Sequence, residues 1–206
     1  MPHIPLVAFT TFAIAVNFSP GPNNVMSGSL GIMYGYRRTL PFLLGIACGF
    51  TLVMIACAAA AALLLDLLPS IEPALKYVGS AYILWLAWVT WVRRASFGKA
   101  AEGAVPKSHG FIGGFVLQFA NPKVVIYGLM VYSTFLAGIS GDVLPLVASA
   151  VGLAAISFAA VSTWALAGVT IRRWLRTDRD RAVVAGVLAL SLVYTAIELS
   201  GVLELL

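Results

Sequence analysis

Three uncharged runs constrain this chain more than any other feature. Residues 4–36, 40–65 and 143–171 contain no Asp, Glu, Lys or Arg. Each is longer than the roughly 18 to 20 apolar residues a helix needs to cross a bilayer. The composition agrees, with 61% hydrophobic and 10% charged residues, where a soluble domain carries about a quarter charged. The sequence therefore predicts an all-α integral membrane protein in a single transmembrane domain spanning 1–206.

That reading excludes several others. A formal charge of +5 could suggest nucleic acid, but the basic residues fall in short connections between apolar runs, where they act as topology signals. No nucleic-acid partner is expected. A cleaved signal peptide is not expected either: no Lys or Arg precedes Arg37, and the first apolar run is too long for an h-region. Cys48 and Cys57 are nine residues apart in one predicted helix, on opposite faces, so they are read as packing residues. His3 and His109 fall in terminal or loop positions and no metal-ligand spacing occurs, so neither metal nor cofactor is expected.

The coarse pattern predicts six spans, near 5–35, 39–65, 72–92, 111–137, 143–171 and 182–203, with Pro69, Pro73 and Gly141 punctuating short turns. A basic connection covers 93–110, between a first half of about 5–92 and a second of about 111–204. Eleven of the 13 basic residues fall on one side: Arg37 and Arg38, then Arg93, Arg94, Lys99 and Lys107, then Arg172, Arg173, Arg176, Arg179 and Arg181. Asp66, Glu72, Asp142 and Glu204 fall on the other, with Lys76. The excess of Lys and Arg in cytoplasmic loops then places both termini outside the cytoplasm. Each half begins on the opposite face from the other, so the halves, if related, are inverted three-helix repeats.

Two of the spans are interrupted. The first contains Ser19-Pro20-Gly21-Pro22-Asn23-Asn24, near its middle. Pro20 and Pro22 strip donors from the carbonyls of Val16 and Phe18. The fourth contains Gln118-Phe119-Ala120-Asn121-Pro122-Lys123, and Lys123 is the only charge set deep in any predicted span. Broken backbone at that depth is tolerated only where protein or a watery cavity satisfies it, and in transporters built from inverted repeats such breaks mark the substrate site. Ser19 and Asn121 are read as N-caps, with Pro20 and Pro122 as first helical residues. The new half-helix N-termini and Lys123 suit a carboxylate, and the carbonyls of Val16, Asn17 and Phe18 suit an α-ammonium group. Asp66 and Glu198 are the other titratable candidates, read as interfacial. Gly31/Gly35, Gly45/Gly49 and Gly110/Gly114 read as close helix packing.

SPGPNN, the GxxxGxxR-type spacing within Gly28 to Arg38, and QFANPKV together resemble the LysE/RhtB family of bacterial amino-acid exporters, over about residues 5–204. The segments AYILWLAWVTW and FVLQFANPKVVIYGLMVYSTF look most like its cysteine and O-acetylserine exporter branch. The resemblance implies export of a small amino acid across the bacterial inner membrane, driven by the proton-motive force, with protons and substrate as partners and homo-oligomerisation left open. It carries the substrate-binding role to Pro20, Gly21, Pro22, Asn23, Asn24, Asn121, Pro122 and Lys123. An intramembrane enzyme would need a deep nucleophile–base pair, and an inorganic-ion channel or transporter would need deep Asp, Glu, His or Cys clusters; the sequence offers neither. No deep carboxylate awaits a cationic side chain, which favours neutral substrates over lysine, and the resemblance implies ones of cysteine, O-acetylserine, threonine or homoserine type.

Overall fold

Prolines decide where the first helix stops. In a computed structural model, which describes residues 6–92, 94, 109–137 and 143–200 and leaves aside the side chains at 61–76, 78, 79, 82, 86, 198 and 199, α1 runs Leu6–Phe18 and α2 runs Pro22–Tyr34. Gly35, at φ 78°, turns the chain into α3, Tyr36–Val92. The second half repeats the interruption. Helix α4, Phe111–Ala120, and α5, Pro122–Met130, with its π-helical continuation Val131–Phe135, are bent by 63° at Asn121. Helices α6, Val143–Arg172, and α7, Asp178–Ser200, complete the chain. The described residues contain no strand.

Two expectations are corrected here. The turns expected at Pro69 and Pro73, between the spans near 39–65 and 72–92, are helical instead, since α3 carries both spans in one 57-residue element. Straight, it would measure about 85 Å at ~1.5 Å per residue. Its ends nevertheless meet neighbouring residues of α7: Met33, just before it, clusters with Ala185, and the Trp91 ring lies 3.5 Å from where a Gly186 side chain would begin. Helix α3 therefore folds back along its length. The second correction concerns the half-helix α2, which is capped by Gly21 with Pro22 in its first turn, not by Ser19 with Pro20. A residue preceding proline is pushed out of the helical region, so Gly21, fully extended at φ 177°, cannot belong to the helix that Pro22 opens.

Among the described residues, three helical stretches are long and apolar enough to cross a membrane: Tyr36–Ala60, Val143–Arg172 and Asp178–Ile197. A fourth is added if the bent α4–α5 pair counts as one span. Glycines set how closely these helices meet. A side chain on Gly31 would overlap the carbonyl of Ala165, and one on Gly168 the carbonyl of Gly28, so α2 lies backbone against backbone on α6. Gly45 and Gly49 meet the backbone of Phe111 and Phe115 in the same way, while Gly114 meets Phe42, which locks α3 to α4. Gly35 has open space around it and serves the turn instead of close approach.

The apolar core falls into two main clusters. One gathers Ala13, Phe50, Met54, Tyr127 and Leu153 around α1 and α5. The other gathers Val25, Phe42, Ile46, Leu117, Val161 and Leu192 around α2 and α4. The helix breaks and buried Ser157 lie between them, at the boundary along α6.

Candidate functional site

A proline inside a helix leaves carbonyls without donors, and the structure shows where those donors come from. The carbonyl of Val16 accepts from Ser19 Oγ at 2.9 Å. That of Asn17 accepts from Asn24 Nδ2 at 2.6 Å. Phe18 O, deprived by Pro22, accepts from the indole Nε1 of Trp164 at 3.1 Å. Asn24 also reaches Ser19 O at 2.7 Å. Buried backbone acceptors are costly unless bonded, so the break persists because side chains from α2 and α6 satisfy it. The three carbonyls expected to await an ammonium group are already occupied.

The second break is simpler. Asn121 caps α5, its side chain accepting from the Lys123 N–H at 3.2 Å, and Pro122 fills the first helical position, as the sequence predicts. The two breaks meet through amides. Asn23 Nδ2 donates to Gln118 Oε1 at 2.8 Å, and Gln118 Nε2 returns a bond to Asn23 Oδ1 at 3.1 Å. Asn121 Nδ2 donates to the same Asn23 oxygen at 3.1 Å. Lys123 crosses in the other direction, its Nζ bonding Ser19 Oγ at 2.7 Å, Pro20 O at 3.2 Å and Ser19 O at 3.4 Å.

A narrow cavity of about 30 Å³ opens at this junction, walled in part by Gly21, Asn23, Asn24, Asn121, Lys123 and Tyr127. Tyr127, 3% exposed, lines it as well, with its hydroxyl beside the Asn17 side chain. Of the eight expected site residues, Gly21, Pro22, Asn23, Asn24, Asn121 and Lys123 line the cavity. Pro20 contributes its carbonyl to Lys123, while Pro122 is buried at the start of α5. Gln118, Trp164, Tyr127 and Ser157 were not singled out as site residues. Gln118 gave a usable signal: an amide one turn ahead of Asn121 in an otherwise apolar helix. Asp66 and Glu198 fall outside the side chains described.

The two breaks also share a pattern that sequence reading missed. Pro22-x-x-Val25-x-x-Gly28 recurs as Pro122-x-x-Val125-x-x-Gly128, 100 residues later. Gly28 packs on Trp164 of α6, and Gly128 packs on Met54 and Cys57 of α3. Each half-helix therefore uses its equivalent glycine against a helix of the other half of the chain.

This is the architecture of a helical membrane protein in which two interrupted helices bring their broken backbones to one cavity, whose wall sets amides and Lys123 among Val16, Phe50 and Val124. The chain belongs to the family described as LysE type translocator, which matches residues 14–201. It is 37% identical over 194 residues to a cysteine/O-acetylserine efflux protein of Salmonella choleraesuis (strain SC-B67), covering 94% of this chain and 96% of the relative. A protein of the same description from Shigella flexneri serotype 5b (strain 8401) is 34% identical over 97% of this chain and 99% of its own length. One from Escherichia coli O1:K1 / APEC is 34% identical over 94% and 96%. No solved structure matches.

Proposed function

We propose that this chain is a secondary exporter that moves small neutral amino acids or their derivatives, of cysteine, O-acetylserine, threonine or homoserine type, out of the cytoplasm in exchange for protons. The observation that carries the reading is the meeting of both helix breaks at one cavity in which uncharged amides and a single lysine stand among apolar side chains. The relatives described as cysteine/O-acetylserine efflux proteins point to the same substrate class. Pro20, Gly21, Pro22, Asn23, Asn24, Asn121, Pro122 and Lys123, joined by Gln118 and Tyr127, form the substrate site. A second cationic group on the ligand would stand beside the Lys123 ammonium in a water-poor site, which disfavours lysine as cargo.

The wider fold in this reading has six spans in two inverted repeats, with helices 1 and 4 broken near mid-membrane. The recurring P-x-x-V-x-x-G pattern and its exchanged helix partners support it. Both termini lie outside the inner membrane, and the basic connections lie in the cytoplasm.

Inverted membrane vesicles offered radiolabelled cysteine, O-acetylserine, threonine or lysine test the proposal. Uptake of the neutral compounds should depend on this chain and collapse when a protonophore dissipates the pH gradient. Gradient-independent uptake would remove proton exchange, and robust lysine uptake would overturn the substrate class.

A further inference from the structure

Lys123 occupies ground that an amino-acid substrate would also want. Its ammonium meets Ser19 Oγ, Pro20 O and Ser19 O at 2.7, 3.2 and 3.4 Å. An ammonium has three donors and no acceptor, so these three neutral acceptors make a cradle suited to any primary ammonium. The fit is close along the stem as well. A side chain on Gly21 would begin 3.2 Å from both Cδ and Nζ of Lys123, so glycine there lets the lysine lie flat across the extended backbone. A cavity of about 30 Å³ holds about two water molecules, too little for an amino acid unless a side chain withdraws. Lys123 is the longest flexible side chain in its wall. The buried Tyr127 hydroxyl lines the same cavity, beside the Asn17 side chain.

We propose that Lys123 is a tethered stand-in for the substrate's ammonium group, which yields the Ser19–Pro20 cradle to the substrate and turns to pair with its carboxylate. The inference rests on the exporter reading and adds its specificity rule. A ligand carrying only an ammonium would evict Lys123 and leave two like charges together without bringing an anion. A ligand carrying only a carboxylate would draw Lys123 away and leave Ser19 O to Asn24 alone and Pro20 O to the long 3.5 Å contact from Thr195. An α-amino acid satisfies both partners in one exchange, with the Tyr127 hydroxyl as a further donor to its carboxylate. No proton changes hands in this step.

The test uses the full chain purified in detergent, with cysteine, its decarboxylated analogue cysteamine, and 3-mercaptopropionate, which lacks the amine. The unaltered protein should bind cysteine at least about tenfold more tightly than either analogue, the scale of one charge-assisted hydrogen bond. Lys123→Ala empties the cradle. This variant should gain at least about tenfold in affinity for cysteamine and ethylammonium, and its preference for cysteine over cysteamine should collapse. Ethylammonium should raise its unfolding temperature, whereas tetramethylammonium, which has no N–H, should not. If Lys123→Ala folds poorly, ethylammonium supplied during purification should restore it, and failure to do so counts against the proposal. A well-folded variant that gains nothing for ethylammonium overturns the cradle. Cysteine binding by the unaltered protein together with that failure would sink the exchange alone. Absence of binding by every neutral amino acid would sink the exporter reading with it.

Discussion

At the scale of single residues, the break in the first helix is a problem of orphaned carbonyls, and Asn24 answers most of it. Its amide nitrogen serves both Asn17 O and Ser19 O at 2.6 and 2.7 Å, and the residue is 4% exposed. Asn24→Ala leaves Asn17 O without that donor at a cost of about 1–3 kcal/mol for a buried unsatisfied group. We expect a clear fall in unfolding temperature, together with loss of transport per folded molecule. Unchanged stability would mean that water replaces the amide and that the break does not depend on it. The need for Asn23, Asn24, Asn121 and Lys123 was legible in the sequence, because polar residues beside proline have few other uses at membrane depth. Their partners were not legible. Gln118 lies 95 positions from Asn23 and Trp164 lies 146 from Phe18, and local pattern carries no record of which helix faces which.

At the scale of helices, prolines and glycines divide the labour. Prolines place the interruptions, and the sequence located both of them to within a few residues. The cap of α2 was misjudged because two prolines compete to open it, and the rule that residues before proline leave the helical region decides for Pro22. Replacing Pro20 and Pro22 together by Ala would return N–H donors to Val16 O and Phe18 O and make the Trp164 bond redundant. The helix should then close. We expect normal or improved expression with transport abolished, and poor folding with intact transport per molecule would reduce the prolines to a packing device. Glycines set the contacts, and here position matters more than count. Gly31→Ala drives a methyl group into the carbonyl of Ala165, whereas Gly152→Ala meets nothing within 4 Å. The first should destabilise by about 1–3 kcal/mol, as overpacking does. The second should be neutral or should stabilise by up to ~1 kcal/mol through helix propensity. Parallel unfolding curves in detergent separate the two, and equal effects would contradict the close α2–α6 contact.

At the scale of the whole molecule, the apolar runs made a membrane protein legible, but the span count depends on how α3 bends, which no periodicity in the sequence describes. Helix α6 offers the cleanest measurement of orientation. Its 30 residues reach about 45 Å at ~1.5 Å per residue, against ~30 Å of hydrocarbon, so its two ends should lie on opposite faces of the bilayer. The end at Arg172 leads into Arg173, Arg176, Arg179 and Arg181, a density of positive charge expected on the cytoplasmic side. Val143, at the other end, and Thr177, in the basic connection, are both exposed. After Cys48 and Cys57 are replaced, Val143→Cys should react with a membrane-impermeant maleimide in intact cells, and Thr177→Cys should react only after the cells are opened. Reaction of both in intact cells would mean that α6 does not cross. Reversed labelling would keep the crossing but invert the protein. It would then put the basic connections outside, contrary to both the charge rule and the export direction, because a carrier is oriented by the same arginines that hold its loops in the cytoplasm.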